Sequence, residues 1–274
     1  MAEPGLWKAA AKAGIMTKIF YFSGTGNSLW SAKEIARIIN EKNPQEKCEL
    51  INIGAEAQKS EINIEADAVV FVFPSYAYGL PLIVRRFAKN AAFKTPYTAS
   101  LVTYGSSPGG TLGALRRILK KKGIDKLFFA RIPAVENYIA IFGAPEAETI
   151  KKRVTMQEKA TEEAARSIIE RQENKVSAFY PFSAFVSWLF SFGVKIFYKQ
   201  YRLSADCNGC GVCEKICPVS AIVMKNGKPV FTEKCEHCQG CIDQCPLRAI
   251  GFGRVKFGSS GYRHPQIAVG DFSR

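Results

Sequence analysis

Two runs of cysteine near the C-terminus carry the strongest chemical signal in this 274-residue chain. Together they hold eight of the nine cysteines, and the second run starts 28 residues after the first with the same spacing. An Ala-Ile pair follows each run, which indicates an internal duplication with one metal-cluster site in each half. The runs are Cys207-x2-Cys210-x2-Cys213-x3-Cys217-Pro218 and Cys235-x2-Cys238-x2-Cys241-x3-Cys245-Pro246.

Three thiolates at this spacing in a short loop can reach three irons of one cubane cluster, whose fourth iron needs a more distant ligand. In bacterial sequences of this pattern the cysteine before the proline binds the other cluster. Structural zinc is the main alternative, but zinc needs two pairs of thiolates and no third cysteine three residues on. A disulfide framework is disfavoured because no secretory signal is recognisable ahead of these closely spaced thiols. The predicted [4Fe-4S] ligand sets are Cys207, Cys210, Cys213 and Cys245 for the first cluster and Cys235, Cys238, Cys241 and Cys217 for the second.

The segment that contains these cysteines, about residues 204–253, resembles the bacterial two-cluster ferredoxins. The resemblance implies a small unit with two [4Fe-4S] clusters. A unit of about 55 residues is too small to bury a sizeable core, so we expect its clusters to supply most of its stability.

A second signal lies near the other end of the chain, between a predicted strand at 18–22 and a predicted helix at 29–40. Backbone N–H groups at a helix N-terminus bind phosphate, and glycines let the anion approach closely. The loop has no lysine for a nucleotide P-loop and lacks the third glycine of the dinucleotide fingerprint. It predicts a phosphate site with hydroxyl donors, formed by Ser23, Gly24, Thr25, Gly26, Asn27 and Ser28.

This loop resembles the flavodoxin pattern T/S-x-T-G-x-T/S, which binds the phosphate of FMN. Two later loops follow predicted strands, as a ligand site at the carboxyl ends of parallel strands requires, although an ordinary βα turn is the alternative for each. The resemblance implies that Tyr76 or Tyr78 walls the isoalloxazine ring and that Gly79 or a neighbouring peptide meets the flavin N5. The predicted contacts are Pro74, Ser75, Tyr76, Ala77, Tyr78 and Gly79 in the second loop and Thr103, Tyr104, Gly105, Ser106, Gly109 and Gly110 in the third.

Alternating apolar strands and amphipathic helices predict an α/β fold over residues 16–173. The expected architecture is a flavodoxin-like, doubly wound parallel sheet of five strands in the order 2-1-3-4-5. Strands are expected near 18–22, 48–53, 67–73, 98–103 and 126–132, and helices near 28–41, 81–91, 110–122 and 147–173. A small α+β two-cluster ferredoxin domain with a C-terminal tail is expected at 203–274. Residues 1–15 fit no element and precede a second methionine, which suggests an added leader.

Between the domains, an apolar helical linker is predicted at 174–202, with no charged residue from 177 to 194. Serines and lysines at a spacing of four form one narrow polar stripe beside a wide aromatic face. A membrane-spanning helix has no need of such a stripe. We expect burial between the domains, with contact of 178–198 with a membrane surface or a partner as the alternative. The stripe consists of Ser183, Ser187, Ser191, Lys195 and Lys199.

The chain has a formal net charge of +14, and the protein stays positively charged when the negative charge of the predicted clusters and flavin phosphate is included. Basic runs at 116–117 and 120–122 suit an acidic redox protein or an anionic membrane surface, unless they form only a solvated helix face. Nucleic acid is not an expected partner because no recognition motif is present. The sequence leaves the oligomeric state open and is compatible with a homodimer.

The remaining reactive side chains carry less information. Cys48 is expected to be a small core residue on a strand. His237 is expected in a solvated loop, with tuning of the second cluster through hydrogen bonding as the alternative. His264 lies in a tail that either folds back or frays. No Ser-His-Asp or Cys-His arrangement is present, which disfavours hydrolytic chemistry.

Taken together, the two signals resemble the flavodoxin-ferredoxin fusion family of anaerobic bacteria and archaea. The resemblance implies an electron-transfer iron-sulfur flavoprotein, in which FMN exchanges one or two electrons and the clusters pass them singly to redox partners. The alternative is an FMN-dependent reductase of a quinone, nitro compound, corrinoid or other acceptor, fed by the clusters. A structural or regulatory protein with relict loops is hard to reconcile with eight intact thiols. We expect the cytoplasm of an anaerobe; the electron donor and acceptor are open.

Overall fold

The computed structural model describes residues 15–177, 180–259 and 261–272, without the side chain of Lys195. The suggested leader therefore lies outside the described residues, apart from its last position. Ile15 already belongs to the first strand.

The larger unit is built on a parallel sheet of five strands. These are β1 (Ile15–Tyr21), β2 (Glu46–Asn52), β4 (Ala68–Pro74), β6 (Thr98–Tyr104) and β7 (Leu127–Pro133). Their spatial order is β2-β1-β4-β6-β7, which confirms the predicted order 2-1-3-4-5. The central strand β4 is buried on both faces, as its continuous apolar sequence predicts. Two short strands, β3 (Asn63–Glu65) and β5 (Ala92–Lys94), form a separate parallel pair that the sequence analysis did not predict.

Helices cover both faces of this sheet. They are α1 (Asn27–Lys42), α2 (Ile53–Glu56), α3 (Leu82–Asn90), α4 (Thr111–Lys121), α5 (Ile139–Phe142) and α6 (Ala147–Ile169). Apolar side chains of α1 and α6 pack on one face, and those of α3 and α4 pack on the other. The four long helices begin and end close to their predicted bounds, except that α6 stops at Ile169 rather than near 173.

The cysteine-rich unit consists of short elements around the two cysteine runs. They are β8 (Tyr201–Leu203), α8 (Val212–Lys215), β9 (Ile222–Lys225), β10 (Lys228–Phe231), α9 (Gly240–Asp243) and β11 (Ile250–Phe252). Strand β8 pairs with β11, and β9 with β10, both antiparallel. Its apolar residues, among them Val219 and Ile242, belong to the same continuous core as Phe20 and Phe71 of the larger unit. This shared core adds apolar packing to the stabilisation that we expect mostly from the clusters.

The apolar linker forms α7 (Pro181–Phe197), followed by a 3-10 turn at Tyr198–Gln200. Its serine stripe faces the protein: Ser187 is buried, and a Cβ added at Gly79 would overlap its hydroxyl. Its aromatic face is turned outward, and Phe182 is 72% exposed. The expected burial of that face between the domains is therefore wrong. Among the described residues, no helix has the length and hydrophobicity needed to cross a membrane.

Candidate functional site

A cavity of about 540 Å³ opens at the carboxyl ends of β1, β4 and β6. This volume lies in the range of roughly 300–1,000 Å³ found for small-molecule sites. All three predicted flavin loops reach it. The predicted residues that line it are Ser23, Gly24, Thr25, Asn27, Ser28, Pro74, Ser75, Tyr76, Ala77, Tyr78, Thr103, Tyr104, Gly105 and Ser106.

The first loop presents the N-terminus of α1 to this cavity. Gly26 precedes the helix with a left-handed backbone (φ 101°), and neither a side-chain cap nor an acidic residue occupies the first turn. The first N–H groups of a helix have no partner within it, so they are available to an anion. Ser23 Oγ accepts from Gly26 N–H (3.1 Å) and keeps its own proton to donate, and Ser28 Oγ lies 2.8 Å from Thr103 Oγ1, where one of the two protons remains free. Backbone N–H groups and these hydroxyls are therefore the candidates for binding phosphate.

The second loop is a tight turn closed by two hydrogen bonds between Tyr76 and Gly79, of 3.0 and 2.9 Å. Ala77 (φ 45°) and Tyr78 (φ 61°) both have left-handed backbones, where two-residue turns normally contain Asn and Gly. Such a backbone costs a residue with a side chain about 1–2 kcal/mol. Burial raises the pKa of Tyr76 well above its usual value, so its hydroxyl stays neutral. The two hydrogen bonds hold the turn against this strain, and both of its central residues line the cavity.

Four predicted glycines serve packing instead of lining the cavity. Gly26 packs against the C-terminal tail: a Cβ added at Gly26 would lie 3.1 Å from the Cβ of His264. A Cβ added at the other three glycines would clash with a neighbour: with α7 at Gly79, with Tyr78 at Gly109 and with Tyr180 at Gly110. Their small size lets neighbouring chains approach the loops closely.

A fourth loop, after β7, also lines the cavity, and the sequence analysis missed it. Asn137 Nδ2 donates to Thr25 Oγ1, and Asn27 Nδ2 donates to Val135 O (3.0 Å). The signal was available, because β7 is another parallel strand whose carboxyl end must lie at the same edge. The lining residues of this loop and α5 are Ala134, Val135, Glu136, Asn137, Tyr138, Ile141 and Phe142.

The remaining wall comes from outside the larger unit. Four side chains of α7 supply an apolar part of the wall, namely Val186, Leu189, Phe190 and Phe197. The second cysteine run supplies His237, Cys238 and Gln239. No sequence signal marked this contribution, because it depends on how the two units pack.

The second cysteine run and the phosphate loop approach each other too closely for side chains between them. A Cβ at Gly24 would lie 2.5 Å from Cys238 O, and a Cβ at Gly240 would lie 2.6 Å from Gly24 O. Hydrogen bonds reinforce the contact: Ile139 N–H donates to Gln239 Oε1 (3.0 Å), and Leu82 N–H donates to Glu236 Oε2 (2.9 Å). Burial raises the pKa of Glu236 to about 7. Backbone contact thus holds a predicted cluster ligand beside the cavity.

His237 is buried in this contact, so the prediction of a solvated loop residue is wrong. Its ring lies 4.5 Å from that of Phe252 and 5.3 Å from that of Phe197. Neither ring nitrogen has a hydrogen-bond partner among the described residues. Burial lowers the pKa of His237 to about 4, which keeps the imidazole neutral at neutral pH.

Each predicted ligand set surrounds its own small cavity. Cys207, Cys210, Cys213 and Cys245 line one, and Cys217, Cys235, Cys238 and Cys241 line the other. In the described ranges, no three His, Cys, Asp or Glu side chains are grouped closely enough to hold one metal ion. Burial raises the pKa of Cys213 and Cys235 to about 11, so both are neutral thiols until a metal displaces the proton. The crossed grouping is the arrangement that the predicted ligand sets require.

The C-terminal tail folds back as a strap (residues 261–272) over both units. Tyr262 O–H donates to Asn27 Oδ1 (2.8 Å), and Tyr262 N–H donates to Asp243 Oδ1 (3.1 Å). His264 N–H donates to Thr25 O (2.9 Å), and its ring stacks on Trp30 at 4.9 Å. The strap therefore fastens the second cysteine run to the phosphate loop.

Comparison with known sequences concerns the cysteine-rich unit. Residues 206–250 match the protein family described as the 4Fe-4S dicluster domain, which confirms the predicted pair of [4Fe-4S] clusters. Over 48 residues the chain is 48% identical to a polyferredoxin-like protein of Methanocaldococcus jannaschii. The alignment covers 18% of this chain and 21% of the relative, so the chain spans about a fifth of that protein's length.

Solved structures similar to the chain match the larger unit. They include an azoreductase from Bacillus anthracis, with TM-score 0.42, 13% identity, and coverage of 57% of this chain and 99% of that one. An NAD(P)H:quinone oxidoreductase from Methanothermobacter marburgensis has TM-score 0.41, 10% identity, and coverage of 58% and 100%. A flavodoxin from the domain Archaea has TM-score 0.34, 16% identity, and coverage of 55% and 99%. Similarity at this level says nothing about activity; the strand order itself establishes the flavodoxin-like fold.

Proposed function

We propose that this protein transfers electrons between an FMN, its two [4Fe-4S] clusters and external redox partners. The proposal rests on one observation: Cys238, a predicted cluster ligand, lines the same cavity as the phosphate loop and the two predicted flavin loops. When bound, FMN exchanges electrons singly or in pairs and each cluster exchanges one, and this supplies the redox chemistry. The residues of the chain determine where those groups are held.

The cavity suits FMN at both of its ends. The start of α1 offers unpaired backbone N–H groups to a phosphate, and no acidic residue in its first turn repels it. At the other end, Tyr76, Tyr78 and Tyr138 supply aromatic surface for a flat ring. Gln239 also lines this space, and its buried Nε2 has no partner among the described residues, which suits a polar ligand nearby.

The order of the sites along the molecule supports transfer in sequence. The second ligand set shares Cys238 with the cavity. The first ligand set lies beyond it, since α8 and α9 pack together and Cys210 of the first set is exposed. We assign the exposed end to an external redox partner. Lys215 and Lys228 are exposed there, and Lys228 Nζ donates to Cys207 O, so an acidic partner suits this end.

A second candidate is an FMN-dependent reductase of a small acceptor such as a quinone, nitro compound or corrinoid. The observation that favours it is the apolar wall formed by Val186, Leu189 and Phe190 of α7, which extends the cavity beyond the three flavin loops. Exposed Ile141 and Phe142 also line the cavity and provide an apolar entrance. A small apolar acceptor would dock between this wall and the flavin.

The test begins with anaerobically purified protein, for which we expect about eight iron, eight sulfide and one FMN. Rapid reduction of FMN is then followed by visible absorbance and EPR. We expect electrons to reach the clusters at a rate independent of protein concentration, because donor and acceptor belong to one chain. Zinc in place of iron, absent flavin, or a rate proportional to protein concentration would contradict the proposal.

Two single-cluster variants test the order of the sites. Cys210→Ala removes a ligand of the first cluster and should leave transfer from FMN to the second intact. Cys235→Ala removes a ligand of the second cluster without touching the cavity lining, and it should isolate FMN from the first. About four iron per chain in each variant verifies that one cluster remains. Equal transfer in both variants would contradict the order.

A further inference from the structure

The duplicated cysteine runs share their backbone conformation but not the residues that adopt it. Gly209 (φ 74°) and Gly211 (φ 73°) follow the first two cysteines of the first run. The equivalent positions of the second run are His237 (φ 58°) and Gln239 (φ 57°). A left-handed backbone favours glycine and is strained for residues with a side chain. The second run therefore carries strain that its own duplicate avoids.

The same two residues carry a second cost. Both ring nitrogens of His237 and the Nε2 of Gln239 are buried without a hydrogen-bond partner among the described residues. Buried polar atoms are nearly always paired, because an unpaired one loses its water without compensation. Both side chains line the cavity, and Gln239 also lines the cavity of the second ligand set, so groups bound in these cavities are the candidates for the missing partners. Strain and unpaired atoms that coincide at a cavity are typical of binding residues.

We propose that His237 and Gln239 are FMN-binding residues contributed by the ferredoxin unit. The inference rests on the proposed function, since it takes FMN as the ligand of the cavity. FMN binding then fastens the second cysteine run to the flavin loops, and the cluster ligand Cys238 is held between two flavin contacts.

The test uses cluster-loaded, flavin-free protein and measures FMN affinity together with the urea midpoint of unfolding. His237→Phe keeps an aromatic ring but removes the unpaired nitrogens, so FMN binding should weaken about tenfold while the flavin-free protein loses no stability. Gln239→Glu keeps the acceptor for Ile139 N–H and removes the donor, and it should weaken FMN binding at least as much. Gln244→Glu is the matched control, because Gln244 also has a buried Nε2 without a partner among the described residues and keeps its acceptor for Arg263, but it does not line the cavity.

Weaker FMN binding in the first two variants with unchanged binding in the control supports the inference. Unchanged affinity in His237→Phe and Gln239→Glu overturns it and leaves the proposed function standing. Failure of the wild-type protein to bind FMN would instead overturn the proposed function, and this inference with it.

An independent observation concerns the outward face of α7. Its exposed side chains form one apolar strip along the helix: Phe182, Phe185, Trp188, Leu189, Phe192 and Ile196. The opposite face is already committed to the protein through Ser187 and Val194, which are buried. An exposed apolar patch of this extent marks an interaction site.

Charge identifies the occupant of that face. Residues 174–202 contain Lys175, Lys195, Lys199 and Arg202 and no acidic residue. Aromatic and leucine side chains beside basic residues are the composition of helices that lie in an anionic lipid interface. A second copy of the chain would bring like charges together, at a net charge of +14 per chain before cofactors. The strip is continuous with the entrance of the cavity, because exposed Leu189, Ile141 and Phe142 also line it.

We infer that the outward face of α7 docks on an anionic lipid surface, with the entrance of the cavity at that surface. The helix lies on the lipid and does not cross it, since its inner face packs on the protein. The partner is a bilayer with negatively charged headgroups, recognised by apolar insertion together with basic residues.

Flotation of the holoprotein with vesicles tests this inference. We expect binding to vesicles of phosphatidylcholine mixed with phosphatidylglycerol and little binding to phosphatidylcholine alone. Trp188→Ser and Phe192→Ser change exposed side chains, so they should fold with full cofactor content and yet bind at least about tenfold more weakly. Val223→Ser, an exposed apolar position on β9, is the matched control and should bind as the wild type does.

Absence of wild-type binding, or binding that the two α7 substitutions do not weaken, overturns the inference. Equal binding to neutral vesicles overturns the anionic assignment. A wild-type dimer that Trp188→Ser dissociates would make a second copy of the chain the occupant of this face and would likewise overturn it.

Discussion

The two cysteine runs have the same ligand spacing and opposite surroundings. Cys210 of the first run is exposed, whereas Cys238 of the second lies against Gly24 of the phosphate loop. The difference comes from the residues between the cysteines. The first run has Asn208 and small glycines, and the second has buried Glu236, His237 and Gln239. Ligand spacing thus indicates the cofactor, and the intervening residues specify which ligand set faces the cavity of the predicted flavin loops.

The largest effect is expected where the second run touches the phosphate loop. Gly240→Val installs the residue type that the first run has at its equivalent position, Val212. A side chain there meets Gly24 O at 2.6 Å, so the units must separate. We expect FMN binding to be lost and the free energy of unfolding to fall by about 3 kcal/mol, measured by flavin fluorescence and urea titration. Gly270→Val, at a glycine with no neighbour within 4 Å, is the control and should change neither.

A smaller effect is expected where the units touch away from the cavity. A Cβ at Gly54 would overlap the carbonyl oxygen of Pro218, next to the cluster ligand Cys217. Gly54→Ala should cost about 2 kcal/mol of stability and slow transfer between flavin and clusters, while FMN content stays unchanged. Stopped-flow reduction beside urea titration measures both. Unaltered transfer would mean that this contact does not position the second cluster.

A third difference between the runs is chemical. The Cys235 thiol of the second ligand set donates to Tyr201 Oη (3.9 Å); as a deprotonated cluster ligand the sulfur would instead accept from Tyr201 O–H. Hydrogen bonds to cysteine sulfur favour the reduced cluster, so Tyr201→Phe should lower the reduction potential of the second cluster. From about 0.5–1 kcal/mol for one weak bond, we expect a fall on the order of 20–40 mV. An EPR-monitored titration should show the first cluster unmoved; an equal shift in both would contradict a local cause.

The smallest effect concerns the strap that fastens only the second run. Burial lowers the pKa of His264 from 6.5 to about 4, so below pH 6.5 the unfolded chain binds a proton that the folded chain does not. His264 should therefore contribute a loss of about 1 kcal/mol of stability between pH 7.5 and 5.5, in addition to the changes caused by the shifted pKa values of His237 and Glu236. Urea titrations at the two pH values should show a change in stability that is about 1 kcal/mol less favourable in the wild type than in His264→Phe. Equal losses in both proteins would place the pH dependence elsewhere.

The sequence was informative wherever function depends on residues close together in the chain. The order of the sheet followed from apolar runs separated by helices, and the phosphate loop followed from glycines and hydroxyls between β1 and α1. The predicted ligand sets came from the spacing together with the bacterial pattern, in which the cysteine before the proline binds the other cluster. Contacts between distant segments were not accessible in this way: the contribution of His237 and Gln239 to the cavity depends on packing between two units.

The linker shows the same limit in a single helix. Its composition correctly predicted a helix with a serine stripe and an aromatic face. It did not predict which face packs inward, because aromatic residues are usually buried and serines usually are not. Here Gly79 leaves room for Ser187 alone, and a bulky side chain would not fit.

By itself, the sequence determined the order of the five strands, the place of the phosphate loop and the cofactor type of the cysteine runs. These depend on periodicity and spacing, which are local properties of the chain. Only the tertiary structure decided that the second run faces the cavity of the predicted flavin loops, that the strap closes over it, and that α7 turns its aromatic face outward. Those outcomes depend on which surfaces pack at close range. Steric fit between segments that are distant in the sequence does not produce a periodic pattern of residues, so it could not be predicted from the sequence.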